Sequence, residues 1–263
     1  MAKVLLVTSL KGGVGKSTVA AGISAALALS GKRTLALDLD FAVRSLELIL
    51  GLEGKTVFNS LDVLEGRCSL ERAVVAHGEL DGLYLLAAPR LDTRELDLGK
   101  LFDSLGDFSP DGKTLDYMIV DAQARDTDII RAVSRHLASA LVPCSHSPSS
   151  VRAAEQTGEL LRECGVNETK LIVNGFDPDG VIRGGRMSLT ELIDSTGLML
   201  TGVVPYDREL ELCSDGGETI GALPKSSNTR RAFMNIAARL DGGQSPLFDG
   251  FAGNVYKKIL QKQ

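Results

Sequence analysis

The sequence predicts an α/β domain of the doubly wound kind: a mostly parallel sheet with helices on both faces. Three observations carry that prediction. Short apolar runs alternate with longer amphipathic stretches over most of the chain, the pattern of repeated βα units. The runs are mostly apolar without strict alternation, as strands covered on both faces require. Several of them stop at a polar residue or a glycine-rich turn, and in open parallel sheets ligands gather beyond the carboxyl ends of the strands.

Taken in order, the strand-like runs fall at residues 4–8, 34–38, 83–87, 117–121, 140–144, 170–174 and 201–204. Helical patterns fall between them, at 17–29, 129–139, 149–163 and 228–240. No internal repeat or low-complexity linker divides them, so residues 1–241 read as one domain. Gly242-Gly243 then stops the last helix and Ser245-Pro246 breaks the chain again, which sets residues 242–263 apart as a tail.

Composition narrows the function classes. With 263 residues, 44% hydrophobic and 24% charged, the chain has the profile of a soluble globular protein with a sizeable core. A formal net charge of −5 argues against a broad nucleic-acid-binding face, because phosphate contacts need clustered Lys and Arg. Cys68, Cys144, Cys164 and Cys213 form no C-x-x-C pair and have no His at zinc-ligand spacing. They read as reduced thiols of a cytosolic protein. No signal-peptide pattern opens the chain, and no apolar run reaches the roughly 18 residues of a membrane span. The expected location is the cytoplasm or the inner face of a membrane.

The first strand runs directly into Ser9-Leu10-Lys11-Gly12-Gly13-Val14-Gly15-Lys16-Ser17-Thr18 and an Ala-rich helix. Strand, glycine loop and helix start are the context of a phosphate cradle. Glycines let backbone N–H groups turn inward around phosphate oxygens, and the helix dipole favours their charge. Lys16 is placed to bridge the outer phosphates, Ser17 to offer its hydroxyl to Mg²⁺, and Thr18 to reach an inner phosphate. The loop departs from the standard pattern, whose first glycine would fall at Leu10; Lys11 precedes the glycine pair instead. A dinucleotide fingerprint does not fit, because Gly13-x-Gly15-x-x-Thr18 lacks its third glycine.

Carboxylates close two other strands. The second ends in Asp38-Leu39-Asp40, and the run 117–121 ends in Asp121. Acids at strand ends facing a phosphate site hold Mg²⁺ or its waters and orient an attacking water, and the alternative for Asp38 and Asp40 is a solvated acidic surface. The run 170–174 ends in Asn174, whose amide can pair with a base edge or simply form a turn.

The string K-G-G-x-G-K-[ST]-[ST] resembles the deviant phosphate loop of the MinD/ParA group of ATPases. The resemblance extends through residues 40–51, 62–66, 149–152 and 183–189, in the same order over most of residues 1–240, and it fits MinD-type members better than DNA-partitioning ones. It implies ATP and Mg²⁺ as cofactors. It also implies Lys11 as a contact to the partner's phosphates across an ATP-dependent homodimer, and Asp40 as the aspartate that activates water. Asp38 is a supporting ligand, Asp121 holds Mg²⁺ through water, and the Pro205 loop packs on the base. The catalytic set is therefore Lys11, Lys16 and Asp40, and the metal set Ser17, Asp38 and Asp121. After Asp121 the family continues with a proline and a glycine, where this chain has Gln123 and Arg125. Gln123 orients water or is a polar loop residue, and the arginine crowds a site where glycine permits close approach.

At cell level the resemblance implies septum placement, with a division inhibitor and a topological activator of the MinC/MinE type as partners. In the tail, Phe251, Val255 and Ile259 repeat every four residues, with Leu260 adjacent and Lys257, Lys258 and Lys262 nearby. That pattern suits a short amphipathic anchor on anionic lipids, or a helix docked on its own domain. Two other readings remain at this stage. A DNA- or flagellum-positioning relative would use Arg230-Arg231 or Arg183 to Arg186, and a non-hydrolysing scaffold would follow from Gln123 and Arg125. An iron–sulfur carrier is the least expected role, because the paired cysteine ligands that such relatives use are missing.

Overall fold

A computed structural model describes residues 2–90, 96–124 and 126–247. The chain opens with β1 (Lys3–Val7), α1 (Lys16–Leu29), β2 (Thr34–Leu39) and three short helices, α2 (Ser45–Ile49), α3 (Ser60–Leu64) and α4 (Leu70–Ala73). β3 (Val75–Ala76), β4 (Leu83–Leu86), α5 (Leu98–Gly106), β5 (Tyr117–Ala122), α6 (Thr127–Ser134) and β6 (Ser139–Cys144) follow. The second half comprises α7 (Pro148–Glu163), β7 (Thr169–Phe176), α8 (Pro178–Ile182), α9 (Leu189–Thr196), β8 (Met199–Pro205), α10 (Arg208–Asp215) and α11 (Asn228–Leu240).

The eight strands form one sheet in the order β3-β4-β2-β5-β1-β6-β7-β8. Every pairing is parallel except the edge pair β3–β4. Strand β1 lies between β5 and β6, so the winding reverses beside it and a crevice opens at its carboxyl end.

Side-chain alternation explains why both faces are covered. Leu5 and Val7 of β1, Ala36 of β2 and Ile119 of β5 join one core cluster with α1 and α11. Leu6, Leu35, Leu37, Met118 and Val120 point the other way, into a cluster with α5, α6, α7 and α9. Helix α1 is buried from Val19 to Ala28. It approaches α11 so closely that a Cβ on Gly22 would lie 2.4 Å from the Phe233 ring.

Two sequence expectations needed correction. The helical pattern 129–139 stops at Ser134, and Ser139 already belongs to β6. The Ala138 N–H donates to the Val4 carbonyl at 2.8 Å, so sheet pairing beside β1 claims those residues. Strand β3 was not anticipated, since two residues carry no readable period.

At the opposite end of the sheet the Tyr117 hydroxyl donates to Asp241 Oδ1 at 2.7 Å, and Lys32 pairs with Asp241 at 2.8 Å. These contacts fix the end of α11. Helix α11 therefore ends beside the start of β5, at the opposite end of the strands from the glycine loop.

Candidate functional site

The loop between β1 and α1 is shaped by glycine. Gly13 has φ 73° and Gly15 φ 84°, conformations that other residues reach only with strain. Helix α1 starts at Lys16 without a side-chain cap, whereas α7, α9 and α11 each begin with a serine accepting a backbone N–H. An uncapped helix start leaves its N–H groups for an anion. Nothing lies within 4 Å of a Cβ built on Gly12 or Gly13, so the cradle is open on that side. Gly12 has no left-handed requirement of its own.

Lys16 is buried beside this opening. Asp121 approaches from β5, fully buried, and neither carboxylate oxygen has a hydrogen-bond partner. Burial pushes its pKa up to about 7; the nearby Ser17 hydroxyl and Lys16 ammonium pull it down, and Asp40 pushes it up further. The Ser17 hydroxyl is thus close to Asp121 without completing a hydrogen bond of good geometry. A buried carboxylate with orphaned oxygens is costly unless a cation or ordered water completes it. With a serine hydroxyl and a phosphate cradle beside it, this donor set fits a hydrated Mg²⁺.

The end of β2 is organised differently. Asp38 Oδ1 accepts the Asp40 N–H at 2.8 Å and Oδ2 accepts the Leu46 N–H at 3.2 Å. Burial and the charge of Asp121 push Asp38 up to about 8. Asp40 Oδ1 accepts the N–H groups of Ala42 and Val43 at 3.1 and 3.2 Å. Arg44 follows with φ 55° and pairs at 2.7 Å with buried Glu47. Asp38 therefore binds backbone through both oxygens and shapes the loop, while Asp121 is the carboxylate left open.

On the other flank, Asn174, two residues before the end of β7, donates its amide to the Val14 carbonyl at 3.0 Å. A Cβ on Gly15 would come 2.1 Å from that nitrogen. Asn174, Pro205 and Thr18 line a cavity of ≈ 510 Å³ that continues from the glycine loop and is closed by Tyr206, Leu210, Glu211 and Asp215. Leu210, Glu211 and Asp215 were missed in the sequence, because only folding brings α10 beside a loop some two hundred residues earlier. Its size suits a nucleoside.

Residues 5–220 match the profile of the "CobQ/CobB/MinD/ParA nucleotide binding domain". The chain is 33% identical over 254 residues to the septum site-determining protein MinD of a Synechocystis strain, covering 97% of this chain and 95% of that one. It belongs to the MinD/ParA family. Bacillus subtilis MinD is 31% identical over 250 residues, covering 94% of this chain and 92% of that one. The fold is similar to the MinD chain of a MinC:MinD cell division complex from Aquifex aeolicus, with a TM-score of 0.85, 32% identity, and coverage of 94% of this chain and 99% of that chain.

Lys11 rests within its own chain, donating to the Ser147 and Ser149 hydroxyls at 3.1 and 2.8 Å. Gln123 follows β5 directly and is half-buried. Arg125 lies outside the described residues, as do Phe251, Val255, Ile259 and Leu260. Of the basic pairs considered for DNA, Arg230 donates to the carbonyls of Gly221 and Leu223, a structural use. No helix among the described residues is long and apolar enough to cross a membrane.

Proposed function

We propose that this chain is a MinD-type ATPase that takes part in placing the division septum. Its ATP state is a homodimer that binds membrane peripherally and recruits a division inhibitor, and a topological activator stimulates slow hydrolysis. The observation that carries the chemistry is the uncapped, open start of α1 facing the orphaned carboxylate of Asp121. The cellular role is supported by likeness to MinD proteins over nearly the full chain.

In this reading Gly13, Gly15 and the first N–H groups of α1 hold the phosphates. Lys16 neutralises the outer ones, Ser17 and Asp121 position the hydrated metal, and Thr18 reaches an inner phosphate. When bound, Mg²⁺ neutralises charge on the transferred phosphoryl group. Asp38 keeps the β2 loop in shape, and Asp40, one oxygen fixed by the turn, orients the attacking water. Lys11 crosses to the partner subunit's phosphates. Asn174 and Pro205 frame the base. Residues 242–263 form the membrane-targeting tail, and two tails in one dimer raise avidity over a single weak anchor.

Cosedimentation with anionic liposomes tests the cellular part, comparing ATP with ADP and the full chain with one ending at Gly243. ATP-dependent pelleting that needs the tail is the expected result. No pelleting in either nucleotide overturns the membrane role. Phosphate release above background in the presence of liposomes and activator excludes the non-hydrolysing scaffold.

A further inference from the structure

The amino group of Lys11 is held by two hydroxyls at the start of α7, Ser147 at 3.1 Å and Ser149 at 2.8 Å. The loop beneath it is tied to the same helix. The Leu10 N–H donates to Thr157 Oγ1 at 3.1 Å, and that buried hydroxyl donates in turn to the Ala153 carbonyl. Ser147 also caps α7 by accepting the Ser150 N–H. The lysine and the base of its loop are thus both fastened to one helix of the same chain.

We propose that Ser147 and Ser149 form a resting dock for Lys11, which must be vacated before this lysine can reach across to a partner, so that the dock sets the threshold for ATP-dependent dimerisation. The inference rests on the trans reading of Lys11 given above. Its physical basis is competition. An ammonium satisfied by two hydroxyls gives up charge-assisted hydrogen bonds when it leaves. Only the fraction of chains with a free lysine is competent to pair, and apparent dimer affinity is reduced by that fraction. Ser149 is the residue to alter, because it holds the shorter bond and, unlike Ser147, does not cap the helix. A cleft beside the dock, lined by Leu10, Pro148, Arg152 and Gln156, leaves the lysine a way out.

The test is dimerisation of the full-length chain in a non-hydrolysable ATP analogue, followed by analytical ultracentrifugation for wild type, Ser149→Ala and Ser149→Asp. Removing one acceptor is expected to tighten the dimer about threefold or more. A carboxylate in its place pairs with the lysine and is expected to weaken the dimer about tenfold. Nucleotide affinity at concentrations where the chain is monomeric should match wild type in both. Acylation of Lys11 in the nucleotide-free monomer should be faster in Ser149→Ala, a readout that a merely structural serine would not move. A wild-type dimer whose affinity is unchanged or weakened by Ser149→Ala overturns the dock and leaves the trans reading standing. Absence of a dimer in wild type and Ser149→Ala alike overturns both.

Discussion

Asp38 and Asp121 are register partners on the adjacent parallel strands β2 and β5, so two buried carboxyl groups leave the sheet side by side. One is satisfied by backbone N–H groups and the other is not. Burial pushes them up to about 8 and about 7, and the charge of Asp121 adds to the shift of Asp38. The nucleotide-free protein therefore holds protons here near neutral pH, and metal binding must displace them.

Binding of Mg²⁺ with nucleotide should release protons near pH 7, and affinity should fall as the pH is lowered through about 7. Calorimetry in buffers of different ionisation enthalpy measures this directly. An enthalpy independent of the buffer at pH 7 would contradict Asp121 as the metal's seat.

The same shift has a stability consequence whose sign is fixed. A carboxyl with a raised folded pKa contributes stability fully present below its unfolded value of 3.8, and that contribution is lost as pH rises through about 7. Asp121→Asn removes the buried charge. It should stabilise the nucleotide-free protein by about 1–3 kcal/mol at pH 8 and by little at pH 4, while abolishing the Mg²⁺ dependence of nucleotide binding. Thermal melts at the two pH values check the first part.

Lys16→Ala should weaken nucleotide binding by about a hundredfold or more, because a buried cation facing the phosphates is lost. It should also raise the Asp121 pKa further, since Lys16 is one of the groups holding it down. Equilibrium binding of a fluorescent nucleotide settles the first point, and unaltered affinity would refute the cradle.

Gly15→Ala meets two obstacles, a φ of 84° and the Asn174 amide 2.1 Å from the new Cβ. A loss of about 1–3 kcal/mol in stability is expected, together with weaker nucleotide binding. Asn174→Ala in the same chain should recover part of the loss by clearing the collision. A double-mutant cycle with no coupling would show that the two residues do not meet.

Asp40→Ala should retain nucleotide affinity and lower activator-stimulated phosphate release at least tenfold, leaving the ATP dimer trapped. Unaltered turnover would remove Asp40 from the catalytic set.

The sequence by itself determined the fold class and seven of the eight described strands, and it marked the glycine loop with its two lysines, because each is written in a contiguous stretch: an apolar run, a glycine loop, a helix start. Asp38 and Asp121 were legible as strand-end acids for the same reason. Only the tertiary structure decided their division of labour. Whether a carboxylate is orphaned or tied to backbone depends on Asp40, Leu46 and the neighbouring strand. Tertiary structure also set Asn174 against Gly15, lined the cavity beside the glycine loop with α10, and rested Lys11 on Ser147 and Ser149. Hydrogen bonds and burial between residues more than a hundred positions apart are fixed by how the sheet is wound, and no local period in the chain encodes them.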